Sequence, residues 1–447
     1  MSPMILKLTK YTDPVWKSKF KNIPTITPEI KNLVRDMRET LEITSGVGLA
    51  APQINHPLRL FIIDYGKLKE TFINPRIVRL GKETDEVEEG CLSVPCKRGL
   101  VTRPTEIEIE YLDLKGEKKK MILRGYFARI VQHEYDHLSS TFYINRILDK
   151  KKIYAYKSIK VVYFSSSEFG LTVLRTLYGQ QLVGEIKINL VVTNPDKPAG
   201  RGKEVRVSPI KNAANEFHLP VSTPASLKQN RELIKELKAA SPDFLVVASY
   251  GHIIPKAILR IPKKGSLNVH PSLLPKYRGA SPIQAAILNG DSSTGVTIMK
   301  MNEKMDEGDI MASVRMKISA KDTRVSLSAK LSSIGANLIL HVLHLVNINK
   351  IKSKPQDSTK ATYTKILTKE DGYFDHQNPP GNLQNMIRAY YPWPGVWTYY
   401  QTADSSKQKA GKKVLKLLPE KMVQLEGKEP VGVEEFKQGH QDFGLDW

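Results

Sequence analysis

One stretch limits the folds open to this chain more than any other. Ile159-Lys160-Val161-Val162-Tyr163-Phe164 reads as a buried strand, the residues through Tyr178 read as a helix, and Ile188-Asn189-Leu190-Val191-Val192-Thr193 reads as a second strand. Parallel strands need a crossover between them and are covered on both faces, so strand, helix, strand with apolar strands is how a doubly wound parallel sheet begins. Further strands are expected at Phe244–Ala248 and Ser266–Val269, separated by helical stretches such as Gln229–Ala240.

That pattern does not extend over the whole chain. Before it lies a helix near Pro28–Thr44, then hairpin-like strands, then a helix near Tyr126–Leu138, an α+β order that stops at the charged run Asp149-Lys150-Lys151-Lys152. From about Lys354 the composition changes again, and Pro, Gly and aromatic residues gather around Tyr390-Tyr391-Pro392-Trp393-Pro394-Gly395-Val396-Trp397. A length of 447 residues fits roughly three domains, drawn at 1–152, 159–350 and 355–447. No internal repeat is visible. Met1–Lys10 shows no apolar stretch with a small-residue cleavage site, and no apolar run reads as long enough to span a bilayer. The expectation is therefore a cytoplasmic chain without a membrane partner. The two cysteines, Cys91 and Cys96, are too few for a disulfide scaffold and fit a reducing compartment.

The formal net charge is +22, and it is unevenly spread. Residues 1–150 hold 25 basic and 20 acidic residues, leaving 43 and 26 for the remainder. A polyanionic partner for the second part and solvated, lysine-rich faces are both compatible with that surplus.

Gln132-His133-Glu134-Tyr135-Asp136-His137-Leu138 places two histidines at i and i+4 of an expected helix, on one face and a turn apart, where they can share one metal ion. Glu134 lies beside them and can take a proton from an attacking water and return it to a leaving amine. Alone, the same pattern fits an amphipathic helix with solvated histidines. Two further blocks bear on the choice: Glu89-Gly90-Cys91-Leu92-Ser93-Val94-Pro95 supplies a thiolate, and Gly46-Val47-Gly48-Leu49-Ala50-Ala51-Pro52-Gln53 supplies a glycine-rich bend ending in an amide. In this order and spacing the three blocks resemble the peptide deformylase family over about residues 5–148. The resemblance implies that Cys91, His133 and His137 bind a divalent metal and leave a fourth position open. It implies Glu134 as general acid/base, with Gln53 and the backbone N–H of Leu92 stabilising the oxyanion. One thiolate and two imidazoles suit Fe(II) or Zn(II), and the family's chemistry favours Fe(II). Cys96 reads as a packing or loop position, and Arg98 as a support for the loop around Cys91. The family's glycine after the metal helix is replaced within Ser139-Ser140, which bears on the turn rather than on the ligands.

Ser266-Leu267-Asn268-Val269-His270-Pro271-Ser272-Leu273-Leu274-Pro275 puts Asn268 and His270 on one face at the end of a strand, where doubly wound sheets bind ligands. Met305-Asp306-Glu307-Gly308-Asp309-Ile310 adds a carboxylate on a glycine-containing loop. Amide, imidazole and carboxylate suit formyl transfer: the first polarises the formyl oxygen, and the other two handle the amine proton. Asn-x-His alone is equally compatible with structural hydrogen bonding. With the proline-rich turn, the set resembles the 10-formyltetrahydrofolate-dependent formyltransferase family. Thr193-Asn194-Pro195-Asp196-Lys197-Pro198-Ala199-Gly200-Arg201-Gly202-Lys203 is similar to the loop by which methionyl-tRNA formyltransferases enter the acceptor end of the tRNA. Gly279-Ala280-Ser281-Pro282-Ile283-Gln284 and Gly295-Val296-Thr297-Ile298-Met299 also match, and the likeness runs from about Ile159 to Gly439. It implies Asn268, His270 and Asp306 as catalytic, Ser272, Leu273, Leu274 and Pro275 as the folate site, and Arg201, Lys203 and Arg206 as tRNA contacts.

Two departures stand out. Ser165-Ser166-Ser167 occupies the family's Gly-Thr-Pro turn, and only 50 residues follow Trp397. The C-terminal β-barrel-like domain is thus expected to be reduced, to about half its strands, with Lys407, Lys409, Lys412 and Lys413 able to add RNA attraction. The fold expected is an α+β deformylase-like domain, an α/β doubly wound (Rossmann-like) domain and this small tail. The reading is of two working enzymes: one removes formyl from nascent formyl-Met peptides, the other formylates methionyl initiator tRNA from 10-formyltetrahydrofolate, both acting near the ribosome. An amino sugar or other small amine as acceptor, and one half serving only as a binding module, are the alternatives.

Overall fold

A computed structural model describes residues 5–44, 46–199, 204–402, 411–440 and 443–445, with side chains given outside 197–206 and 401–412. Two compact units result, Met1–Val161 with Leu174–Asn189, and Val162–Val173 with Leu190–Trp447.

In the first unit, α1 (Pro28–Thr44) buries Leu33, Val34, Met37 and Leu41 at helical spacing. Eight strands follow in part around two more helices: β1 (Gly48–Ala50), β2 (Leu60–Tyr65), β3 (Leu68–Leu80), β4 (Thr84–Cys91), β5 (Val94–Pro104), β6 (Glu106–Leu112), β7 (Lys118–Arg124), α2 (Tyr126–His137), α3 (Tyr143–Arg146) and β8 (Ile153–Ala155). β1-β2-β3-β6-β7 form one sheet and β4-β5-β8 a second. All their pairings are antiparallel. Strict alternation in β6, with Ile107, Ile109 and Tyr111 inward, leaves Glu106, Glu108 and Glu110 toward water. Ala128, Ile130 and Val131 of α2 pack into one cluster with Phe61, Phe72, Ile107 and Ile109, which fixes the helix face that carries the histidines. After α2 the chain turns through Ser140, whose φ of 54° is left-handed. That conformation costs a non-glycine residue about 1–2 kcal/mol. The Ser140 hydroxyl offsets part of it by donating to the Trp16 carbonyl at 2.7 Å.

The second pattern is built from β9 (Ile159–Phe164), α4 (Glu168–Val183), β10 (Ile186–Val192), the hairpin β11 (Lys197–Ala199) and β12 (Glu204–Arg206), α5 (Pro209–Glu216), β13 (Val221–Ser222), α6 (Arg231–Ala240), β14 (Phe244–Val247), α7 (Lys256–Leu259), β15 (Gly265–His270), β16 (Arg278–Gly279), α8 (Pro282–Leu288), β17 (Ser293–Lys300), β18 (Ile310–Lys317), α9 (Arg324–Asn347) and β19 (Tyr363–Thr364). Seven strands form one sheet in the order β13-β10-β9-β14-β15-β17-β18. β10 runs parallel to β13 and β14 parallel to β15, while β17 and β18 extend the sheet antiparallel. The doubly wound expectation is met, with an antiparallel margin that the strand-helix-strand pattern did not foretell.

The 24-residue α9 corrects the expectation that no apolar run is long enough to span a bilayer: an 18-residue window within it has a mean hydropathy of 1.3, enough to cross a membrane by length and composition alone. It lies along the sheet, burying Leu327, Leu331, Gly335, Ile339 and Leu343. Beyond it come α10 (Leu383–Tyr390), β20 (Val396–Thr402), β21 (Gly411–Leu418), β22 (Met422–Leu425), β23 (Val431–Gly432) and α11 (Val433–Gly439). The C-terminal part is a four-stranded antiparallel sheet in simple order β20-β21-β22-β23. Among the described residues its first and last strands do not pair.

Candidate active sites

Cys91 ends β4 at a register shift against β5, next to the tight turn that pairs it with Val94. There its Sγ comes to 3.3 Å from His137 Nε2. One turn earlier on α2, the ring of His133 stands 4.9 Å from that of His137 at 89°. Ligand atoms of Cys91, His133 and His137 all fall within 4.8 Å of one another, a span one metal ion can bridge. Burial holds His137 well below the usual imidazole range, with the neighbouring His133 adding to it, so a nitrogen lone pair is available.

A buried ionic chain orients this face. Glu89 accepts from His133 Nδ1 at 2.9 Å, which leaves Nε2 as that ring's ligand atom. Arg103, 2% exposed, donates to both oxygens of Glu89 at 2.6 and 2.9 Å and to Asp136 at 2.9 Å. Arg129 adds a fourth hydrogen bond to Glu89 at 2.6 Å. Burial works against the Glu89 charge, but Arg103 and His133 overcome it and hold the carboxyl well below the usual carboxylate range. Glu89 sits inside the Cys91 block, yet its role needs Arg103, which lies on another strand and carries no local signal.

Glu134 is buried, and its Oε2 has no hydrogen-bond partner. Burial pushes its carboxyl up to about 7, against the pull of His133 and Arg103. Such an acid can both accept and deliver a proton near neutrality. Its space depends on Gly48: a Cβ there would stand 2.6 Å from Glu134 Oε1. Gln53 is buried too, its Oε1 held by the Ala50 N–H at 2.8 Å. Its Nε2 is thereby turned toward Cys91 Sγ, 3.6 Å away, and Ser93 Oγ, 3.4 Å away. Leu92 occupies the turn between Cys91 and Ser93, its side chain against the core around α1. Cys96 stands apart from the metal-binding group, its N–H donating to Glu185 at 2.9 Å. Arg98 approaches Glu88 at 3.8 Å and lies under Gly90.

At the other site, Asn268 and His270 are both buried at the carboxyl end of β15, on the same face as strand alternation requires. His270 Nε2 lies 3.0 Å from the Tyr277 carbonyl, which can only accept, so Nε2 carries the proton and Nδ1 faces Asp306. Asp306 Oδ2 is 3.7 Å from Nδ1 and accepts the Gly279 N–H at 2.8 Å. Its Oδ1 accepts from Asn268 Nδ2 at 3.4 Å. Asp306 has a left-handed φ of 51°. The structure therefore brings Asn268, His270 and Asp306 together across 38 positions of sequence, with Tyr277 and Gly279 as backbone partners that no side-chain motif announces.

The turn after His270 is stitched to the sheet. Ser272 donates to the Lys276 carbonyl at 2.6 Å, and Thr297 Oγ1 bridges the Ser272 carbonyl and the Leu274 N–H at 2.7 and 3.1 Å. Ser272 and Leu274 are buried, whereas Leu273 and Pro275 keep part of their surface. Arg201 and Lys203, with Lys407 and Lys409, lie outside the described residues. Arg206 and Lys412 are described for their backbone alone, in β12 and β21. Ser165-Ser166-Ser167 follows β9, where Ser166 Oγ receives the Asn194 N–H at 3.1 Å.

A histidine–cysteine metal site on one scaffold, and an amide–imidazole–carboxylate cluster at the carboxyl end of an interior strand of a doubly wound sheet on the other, define an enzyme of two parts, a metallohydrolase and a group transferase. Residues 5–153 match the family Polypeptide deformylase, residues 159–343 Formyl transferase, and residues 366–421 Formyl transferase, C-terminal domain. A methionyl-tRNA formyltransferase of Caldanaerobacter subterraneus subsp. tengcongensis is 38% identical over 274 residues, 61% of this chain and 84% of that protein. One from Caldicellulosiruptor saccharolyticus is 42% identical over 241 residues, 54% of this chain and 76% of the other. A solved peptide deformylase from Thermotoga maritima is 36% identical, covers 32% of this chain and 98% of its own, and has a TM-score of 0.32. The chain belongs to the methionyl-tRNA formyltransferase family and carries a polypeptide deformylase domain ahead of the transferase, which makes it a bifunctional deformylase and formyltransferase. Formylated peptides and initiator tRNA are the substrates these two families imply, with a divalent metal for the first and a formyl-folate for the second.

Proposed function

We propose that Cys91, His133 and His137 hold the deformylase metal, and that the observation carrying this reading is their approach within 4.8 Å beside the unpartnered, buried Oε2 of Glu134. An Fe(II) ion, preferred here over Zn(II), supplies Lewis acidity when bound. Glu134 takes the proton of the attacking water and passes it to the amine as the C–N bond of the formyl group breaks, releasing formate. Gln53 Nε2 and the Leu92 N–H donate to the oxygen on which charge develops.

In the transferase, the methionyl amine attacks the formyl carbon, a new N–C bond forms and the bond to the folate nitrogen breaks. Asn268 donates to the formyl oxygen. His270 Nδ1, steadied by Asp306, accepts the amine proton, and the folate nitrogen leaves protonated. Leu273 and Pro275 offer the folate its contact, since the Ser272 hydroxyl and the Leu274 side chain are committed to the turn. Arg201, Lys203 and Arg206 meet the tRNA, a reading supported by their sequence block alone. Both substrates belong to protein synthesis, one before initiation and one after it, which supports placing the chain in the cytoplasm near the ribosome.

Paired assays test the assignment. Formylation of charged initiator tRNA and formate release from a formyl-Met peptide are measured in the parent, Glu134→Ala and His270→Ala proteins. Each substitution abolishes one activity and spares the other. Loss of neither activity in its own variant defeats the residue roles. Metal analysis after anaerobic purification gives Fe(II) as the main ion, and a Zn(II)-loaded enzyme of equal activity would remove the preference.

A further inference from the structure

The segment between the doubly wound sheet and the C-terminal meander runs past the transferase site and is bonded to it at several points. Lys354 pairs antiparallel with Ile310, with backbone bonds of 2.7 and 2.8 Å. Ser353 Oγ donates to Asp309 at 2.9 Å. Further on, Thr362 accepts the Arg278 N–H at its carbonyl, 2.8 Å, and the Tyr277 N–H at its hydroxyl, 2.8 Å. Thr364 Oγ1 receives the Ser281 N–H at 3.0 Å. Between these anchors sits Gln356, to which the sequence motifs assign nothing.

The Gln356 amide is used in full. Its Nε2 donates to the carbonyls of Asp306 and Gly308 at 2.8 and 2.7 Å. Its Oε1 accepts from Nε and Nη2 of Arg278 at 3.1 and 2.9 Å. Arg278, 1% exposed, is held in turn by Tyr363 Oη at 3.1 Å and by Glu307 at 3.5 Å. One planar amide thus ties both flanks of the Asp306 loop to a buried guanidinium that cannot shift without losing its own partners. The loop needs such a tie, because Asp306 keeps a left-handed backbone while its carboxylate spans Asn268, His270 and the Gly279 N–H. Glycine at 308 has a matching role: a Cβ there would lie 1.7 Å from the Lys300 carbonyl oxygen, so the loop closes tightly against β17.

We propose that Gln356 is a positioning residue for formyl transfer, its amide holding the Asp306–Gly308 backbone so that the Asp306 carboxylate meets Asn268 and His270. The proposal rests on the reading of Asp306 as catalytic. Glutamine suits the position because it offers two N–H donors to two carbonyls and one acceptor to arginine. A carboxylate would keep the arginine and repel the carbonyls.

The test uses the full chain and compares Gln356→Glu, Gln356→Ala and Asp306→Asn with the parent, with formate release as the internal measure of intact protein. In Gln356→Glu the transferase kcat is expected to fall by about ten- to a hundredfold. KM for 10-formyltetrahydrofolate and for Met-tRNA should stay within about threefold, with the melting transition and deformylase rate at parent values. Gln356→Ala should show the same split. A purely structural linker contact would move Tm or KM and leave kcat alone, and that result overturns the proposal. Parent kcat in both Gln356 variants, with Asp306→Asn inactive, overturns the proposal by itself. Parent kcat in Asp306→Asn removes the catalytic reading of Asp306 and the proposal with it.

Discussion

Arg103 shows how much of the metal site rests on a side chain that touches neither metal nor substrate. Its guanidinium is 2% exposed and joins Glu89, behind His133, to Asp136, one residue before His137. Removing it takes two hydrogen bonds from Glu89 and one from Asp136 while Arg129 and His133 still hold the first and Arg146 the second, so the cost is about 1–3 kcal/mol. Arg103→Ala is therefore expected to lower the unfolding free energy of the deformylase domain by that amount and to weaken metal binding. An unfolding free energy within about 0.5 kcal/mol of the parent would mean that solvent and the remaining arginines replace the guanidinium. The two cysteines illustrate the same dependence on surroundings. Burial pushes the Cys96 thiol up to about 11, with Glu185 adding to it. A raised thiol pKa means little thiolate at neutral pH, so in a Cys91→Ser protein alkylation is slow at pH 8 and quickens only as the pH approaches 11. Rapid labelling of Cys96 at pH 8 would contradict that environment.

At the scale of elements, each site is made where two backbones approach closely. β1 passes against α2 at Gly48, and the missing side chain is the space that Glu134 occupies. Gly48→Ala is expected to displace Glu134 and reduce formate release by about tenfold or more, with formylation of tRNA unchanged. An active Gly48→Ala enzyme would show that the carboxylate has another resting position. In the doubly wound sheet, Gly335 of α9 lets the helix lie against β15, since a Cβ would meet Val269 at 2.6 Å. Val269 separates Asn268 from His270, so the packing that holds α9 on the sheet also supports the strand carrying both residues. This explains why so apolar a helix belongs with a catalytic core.

For the whole molecule, the uneven charge distribution becomes a statement about kinetics. The excess of 43 basic over 26 acidic residues after position 150 belongs to the part whose acceptor is a nucleic acid. Screening weakens such association steeply, so KM for Met-tRNA should rise by at least about tenfold between 50 and 200 mM salt. The peptide KM of the deformylase should barely change. Equal salt responses of the two activities would assign the lysine surplus to solubility instead.

What the sequence determined by itself is whatever depends on short spacing. Two histidines four apart on a helix, Asn268 and His270 two apart on a strand, and the switch from α+β to strand-helix-strand near residue 159 follow from local periodicity, and the structure shows them as read. The tertiary structure alone decided the partnerships between distant positions. Cys91 reaches His137 only because β4 is paired with β5 and α2 is pinned by its apolar face. Arg103 finds two acids from other elements, and Gln356 reaches back 50 positions to Asp306. None of these contacts has a local signature, because a buried hydrogen bond is specified by which surfaces the hydrophobic core brings together, and that is a property of the packed chain.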